Sequence, residues 1–256
     1  MDFVFTDEQR MIAETAQAFF TENATSERTR AAMASDGIDH ALWQAFCQEL
    51  GLSGIGIAEN AGGAGLGLVE LAIIAEAAGA QVAPLPLLGS LALAAQGIAA
   101  GASDVQRAAW LPALLSGETI AAHMTADDLV ADGDRITASS AFVAHGSAAG
   151  LLLVSGAGGS WLVRADAPGV TVTAQTTMDQ TRPFARIVLA GAESEPLPIR
   201  RPPAMRPPRL AWWCSPPRAL VLPRPRWIAQ SPIRATGCSS GGRSDRSRPT
   251  STALQT

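Results

Sequence analysis

Tyrosine is absent from this 256-residue chain, and so is lysine, since all 19 of its Lys and Arg positions are arginine. Aromatic residues make up only 5%, which leaves few stacking surfaces. Cysteine occurs three times, at Cys47, Cys214 and Cys238. That is too few and too scattered for a disulfide framework or a zinc site, so a reducing cytoplasm is the expected location and no metal is expected. No unbroken run of about 18 apolar residues exists, so no membrane span is expected. The opening Met1-Asp2-Phe3-Val4-Phe5 lacks a basic region ahead of an apolar one, which argues against a secretory signal. With only His40, His123 and His145 available, no Ser-His-Asp or Cys-His constellation can be argued.

What is present divides sharply. Residues 1–198 hold 8 Arg against 22 Asp and Glu, a net of −14. Residues 199–256 hold 11 Arg against the single acid Asp245, a net of +10, together with 10 of the 17 prolines. The length of 256 residues suggests one or two domains, enough to bury a sizeable core. The two parts are therefore read separately.

Residues 1–118 carry helical periodicity. Thr6-Asp7-Glu8-Gln9 is a capping box, and Met11, Ile12, Thr15, Ala16, Phe19 and Phe20 follow on one face. Asp39 can cap a helix bearing Leu42, Phe46 and Leu50, stopped by Gly51. Leu68 to Ala78 is apolar nearly all round and predicts a buried helix. Pro84 and Pro86 break the chain before a helix from about Leu87 to Ala99. Ser103 and Gln106 form a second capping box ahead of Trp110, Leu111, Leu114 and Leu115, which Gly117 ends. Gly62-Gly63-Ala64-Gly65-Leu66-Gly67 could cradle a phosphate. It has no P-loop lysine and no βαβ unit around it, so a turn requiring positive φ is the better reading, with Glu59 a solvated or capping acid.

These helical residues also resemble a known family. Leu42-Trp43, Glu49-Leu50-Gly51-Leu52, Gly62-Gly63, Gly65, Glu70-Leu71-Ala72, Ala78-Gly79 and Ala83-Pro84-Leu85-Pro86-Leu87-Leu88 follow the order of the acyl-CoA dehydrogenase N-terminal domain. Asp2-Phe3 with Thr6-Asp7-Glu8-Gln9 is similar to that family's start. Trp110-Leu111-Pro112 with Ser116-Gly117-Glu118 is similar to its close.

From Thr119 the period changes to that of short strands separated by Gly, Pro and Asp: Arg135 to Ser139, Leu151 to Val154, Trp161 to Val163, Val170 to Thr173 and Arg186 to Leu189. The expected fold class is thus α+β. A helical bundle (1–118) is followed by a small antiparallel β-barrel or sandwich (119–198) and an irregular or disordered tail (199–256). The β segment resembles the family's middle domain, which holds the flavin ring of FAD. The resemblance makes Met124-Thr125 the start of the flavin-contacting strand, with Thr125 the leading contact. It sets the family's Lys-x-Trp-Ile-Thr on Ser140, Ala141, Phe142, Val143 and Ala144, so Phe142 can stack on a flavin edge while Ala144 lacks the hydroxyl that would reach flavin N5. The Glu-Pro-x-x-Gly-Ser-Asp loop is shortened to Ala126-Asp127-Asp128-Leu129-Val130. Asp127 and Asp128 read as solvated turn residues, and His145 as a structural histidine beside the presumed flavin edge.

For the tail, composition allows a basic nucleic-acid arm, a disordered interaction segment, or an out-of-frame translation. The absence of lysine and the acidity of residues 1–198 disfavour a nucleic-acid partner. Codons compatible with Cys238 to Thr250, read one nucleotide out of register, can give Gln-Phe-Gly-Arg-Pro-Ile-Gly-Ser-Phe-Gln-Ala-Tyr. That string resembles a hallmark of the family's C-terminal helical domain. The implied function is FAD-dependent α,β-desaturation of an acyl-CoA thioester in fatty acid or sterol degradation, by a homo- or hetero-oligomer. The resemblance assigns the catalytic base to a glutamate of the C-terminal domain, so no catalytic residue is assigned here and the chain as written is expected to be truncated and inactive. A non-catalytic subunit of a hetero-oligomeric dehydrogenase is the alternative.

Overall fold

The structure is a computed structural model and describes residues 4–198. The predicted irregular tail, 199–256, lies outside the described residues. Helix α1 (Asp7–Asn23) starts at the capping box read from the sequence: Thr6 accepts from the Gln9 amide, and the Gln9 side chain returns to the Thr6 amide. Helix α2 spans Ser26–Met33 behind the Thr25 cap. Helix α3 (His40–Ala45) begins at Asp39, whose carboxylate accepts from the Leu42 amide. It runs on as a π-helical turn, Phe46–Leu50, and ends where Gly51 takes a left-handed φ of 68°. Phe20, Trp43 and Phe46 stack at 5.9 Å between successive ring centres, filling the bundle with its few aromatic side chains.

The glycine-rich run between α3 and α4 is a turn, with Gly62 and Gly65 at φ of 86° and 74°. Helix α4 (Leu68–Ala80) follows it, and Glu70 closes back on the Gly67 amide. The predicted all-round burial of α4 is corrected along its outer face, where Ala72, Ala75 and Glu76 are exposed as well. Leu71, Ile73, Ile74, Ala77 and Ala78 are buried, but Leu68 and Val69 are more than half exposed because α1 covers only one face.

The helix predicted after Pro86 is a different object. Residues Leu87–Ala95 are π-helical and pass into a short α5 (Gln96–Gly101). Its buried Ser90 hydroxyl accepts from the Ala121 amide of the first strand, tying this segment to the β layer. Helix α6 (Asp104–Leu115) carries the Ser103–Gln106 capping box and buries Leu111 and Leu114.

Among the described residues eight strands follow: β1 (Ala121–Thr125), β2 (Val130–Asp132), β3 (Arg135–Ala144), β4 (Leu151–Gly156), β5 (Gly159–Arg164), β6 (Val170–Gln175), β7 (Phe184–Glu193) and β8 (Glu195–Pro196). They form two four-stranded sheets, ordered β1-β4-β5-β8 and β2-β3-β7-β6. The sandwich is antiparallel, as expected, except that β1 pairs with β4 in parallel.

Alternate residues of the first sheet go to different cores. Ala121, Leu151, Leu153 and Leu162 pack with the helices, while Ala122, Met124, Leu152, Val154 and Val163 pack against the second sheet. A sheet buried on both faces needs a continuous apolar strand rather than an alternating one. Leu151-Leu152-Leu153-Val154 supplies it, each side chain contributing about 1.5–3 kcal/mol by burial. The second sheet has one wet face and alternates, as in the Ile136, Ala138 and Ile187, Leu189 pattern. Among the described residues no helix is long and apolar enough to cross a membrane.

Candidate functional site

The positions singled out from the sequence fall on β1, the turn after it, and the far end of β3. Thr125 is the last residue of β1, and its side chain is exposed opposite Ser155 of β4. Met124 points the other way and is fully buried between the two sheets. The period of two along a strand makes the two residues opposites in role: only Thr125 can offer a side chain to a ligand.

The turn behind Thr125 is built by its acids. Asp128 accepts from the Ser139 amide at 3.0 Å and the Ser139 hydroxyl at 2.6 Å. The hydroxyl bond first, then the amide bond, hold its carboxyl below the ordinary range. Asp128 is thus a tie between this turn and β3, whereas Asp127 is exposed.

At the end of β3 the register slips. Ser140 pairs with Ile187 and Val143 with Ala185, so Ala141 and Phe142 together stand across from one residue of β7. A bulge of this kind reverses which side chains face the core. Val143 is consequently buried, and Phe142 is 74% exposed, with an edge contact to Phe184 at 6.4 Å. Ala144 is half-buried, and its carbonyl stands 3.3 Å from where a methyl on Gly89 of the π-helical segment would be.

A flavin edge fits these residues in part. Thr125 and Phe142 present side chains to solvent. Met124 and Val143 turn their side chains into the β core, which leaves their backbone as the available surface. Ala144 offers a methyl where the family motif carries a hydroxyl.

One feature of the site escaped sequence reading, and a second takes a form the sequence did not show. His123 sits two residues before Thr125 on the same face of β1, with Nε2 3.3 Å from the Ser155 hydroxyl, which lies 3.0 Å from that of Ser160. Burial pushes this imidazole down to about 4, so it is neutral at physiological pH. The period of two from Thr125 was the signal that could have found it. The second is His145, next to Ala144: it is 4% exposed at a left-handed φ of 56°, and among the described residues neither ring nitrogen has a hydrogen-bond partner.

Two concavities lie elsewhere. One of about 240 Å³ is bordered by His40, Trp43, Gln44 and Glu118, and one of about 470 Å³ by Trp110, Ser147, Arg164 and Asp166. Neither includes Thr125 or Phe142 in its wall. Among the described residues no group of three or more His, Cys, Asp or Glu could hold a metal.

Comparison with known proteins gives this arrangement a context. Residues 6–118 match the family described as acyl-CoA dehydrogenase, N-terminal domain. Acyl-CoA dehydrogenase IpdE2 of Mycobacterium tuberculosis is 36% identical over 129 residues, covering 50% of this chain and 40% of that protein. A solved variant of the Tcur3481-Tcur3483 steroid ACAD superposes with a TM-score of 0.68 at 32% identity, over 78% of this chain and 58% of that one. The ChsE4-ChsE5 complex from Mycobacterium tuberculosis gives 0.69 at 26% identity, over 75% of this chain and 56% of that one. The chain therefore spans about two-fifths of the curated relative and under two-thirds of the solved structures.

Proposed function

We propose that this chain, which belongs to the acyl-CoA dehydrogenase family, derives from a flavoenzyme that desaturates an acyl-CoA thioester between its α and β carbons. The observation that carries the reading is the continuous likeness, through helices and sheets alike, to a steroid acyl-CoA dehydrogenase at 32% identity. The likeness to the solved steroid ACAD favours a steroid-derived thioester over a simple fatty one. FAD, when bound, supplies the hydride acceptor. Thr125 and Phe142 would hold its ring by side chain, and Met124, Val143 and Ala144 by backbone.

We also propose that residues 199–256 are encoded out of frame. The support is the change from a net charge of −14 to +10 at one boundary, with 10 of 17 prolines beyond it. On this reading the segment contributes no catalytic base, and the polypeptide as written binds FAD weakly and does not turn over. Sequencing the gene from codon 190 onward tests this directly. A neighbouring frame without the Gln-Phe-Gly-Arg-Pro-Ile string removes the proposal. If the string is there, the restored product is assayed for acyl-CoA-dependent flavin reduction.

A second reading has its own support. Ala144 lacks the motif's hydroxyl, and one structural relative is a two-protein complex. The chain would then be a non-catalytic subunit that completes a hetero-oligomer. Co-purification of the restored protein with a second dehydrogenase chain favours this reading, and turnover by the restored protein alone contradicts it.

A further inference from the structure

At the corner between β3 and β4 stands a buried histidine whose ring nitrogens, among the described residues, have no hydrogen-bond partner. The main chain of His145 is pinned on both sides: its amide donates to the Pro183 carbonyl at 2.8 Å, and its carbonyl accepts from the Ala148 amide at 3.1 Å. The ring is not pinned. Both nitrogens are buried and unpartnered, and a methyl on Gly89 would come within 3.6 Å of Nδ1. Gly89 lies in the π-helical segment, so the imidazole fills the space between that segment and the corner.

The surroundings are built for a neutral ring only. Leu87–Ala95 contains no titratable residue, and neither does β3 from Ile136 to Ala144. On β1 the one titratable side chain is His123, which points at Ser155. On β7, Arg186 and Glu193 are exposed. The loop before β7 brings two charges, Arg182 and Asp179. Arg182 repels an imidazolium, while Asp179 is engaged by the Thr181 amide and hydroxyl at 3.0 and 2.6 Å and by Arg182 at 3.4 Å. A protonated His145 would carry two N–H donors and a positive charge into a seat where, among the described residues, neither nitrogen has a hydrogen-bond partner.

We propose that His145 is an acid-operated latch: neutral, it seats the β3–β4 corner against the π-helical segment Leu87–Ala95, and on protonation it leaves that seat and releases the segment. The left-handed backbone at His145 places the departure at a single residue rather than in a strand. Burial first, and then the charge of Arg182, push the folded-state imidazole down to about 4, in line with the seat's geometry. The latch adjoins Ala144 but does not depend on the proposed function.

Hydrogen exchange of the full chain tests it. An imidazole at about 4 when seated and roughly 6.5 when released favours release by about 25-fold more at pH 5.0 than at pH 7.5. Exchange corrected for the intrinsic pH dependence should accelerate by that order in peptides covering 87–95 and 144–148, relative to peptides of α1. His145→Asn accepts the left-handed backbone and cannot be protonated, so it should abolish the difference. If that variant does not fold, deuterium uptake at the ring carbon Cε1 of His145 in the unmodified chain reads its titration directly, and a midpoint well below 6.5 is expected. Equal exchange at the two pH values, the same acceleration in His145→Asn, or a His145 midpoint at its ordinary value each overturns the proposal.

Discussion

Arg28 grips Asp39 through two parallel bonds, Nε to Oδ2 at 2.7 Å and an Nη to Oδ1 at 2.8 Å, while the same carboxylate caps helix α3 through the Leu42 amide. One side chain thus fixes the entry to the helix that carries Trp43 and Phe46. Burial pushes the Asp39 carboxyl up, but the Arg28 bond, the cap amide and the nearby positive charges together outweigh it, so the group titrates below its usual value. Its contribution is present above the unfolded pKa of about 3.9 and is lost as pH falls through the folded one. Asp39→Ala should lower stability by about 1–2 kcal/mol near neutral pH, read as a shift in urea midpoint. Its deficit should shrink below pH 4.

Gly63 distinguishes a packed turn from a phosphate cradle. A methyl there would stand 2.1 Å from the Ile57 carbonyl oxygen and 2.4 Å from Ile57 Cβ, which no rotamer change relieves. Gly63→Ala should cost about 3 kcal/mol or more in thermal or urea unfolding. Phosphate or nucleotide should leave the melting temperature of the parent chain unchanged, since in this reading these glycines bind no anion.

His123 and His145 are both held near 4 in the folded chain. The unfolded chain, with imidazoles near 6.5, binds more protons between these values, so folding stability is intact above about pH 6.5 and declines as pH falls toward 4. Urea midpoints at half-unit pH steps should show this decline. His145→Asn should flatten part of it, leaving the share owed to His123.

Phe142 and Ile187 are near neighbours around the β3 bulge but are expected to respond differently. Ile187 is fully buried between the sheets, and Ile187→Ala should cost about 2–5 kcal/mol. Phe142 is 74% exposed, and Phe142→Ala should cost under about 1 kcal/mol. If the proposed function is right, the Phe142 change should nevertheless weaken FAD retention by the restored protein, and Ala144→Thr should strengthen it. Flavin released on ultrafiltration measures both.

Much of the helical layer was legible because caps are local chemistry. Thr6 with Gln9, Asp39, and Ser103 with Gln106 each mark a start that depends on three or four neighbouring residues, and the structure has all of them. The π-helical geometry of Leu87–Ala95 was not legible: its apolar composition suits an α-helix equally well, and its anchor, Ser90 to the Ala121 amide, joins residues 31 positions apart. The same limit applies in the β layer. Strand residues followed from the pattern, but the bulge at Ala141–Phe142 and the parallel pairing of β1 with β4 depend on partners that a strand does not name. Thr125 and Phe142 are named by the family resemblance and not by the strand pattern, and neither source foretells the inward turn of Met124 and Val143 or the solitary ring of His145.

The most direct test of the account is where FAD shields the restored protein from hydrogen exchange. Protection on adding FAD should concentrate in peptides covering 121–128 and 140–146, and Phe142→Ala should reduce it. Protection confined to the concavity around Trp110 and Arg164, or no FAD-dependent protection in these β-strand peptides, would contradict it.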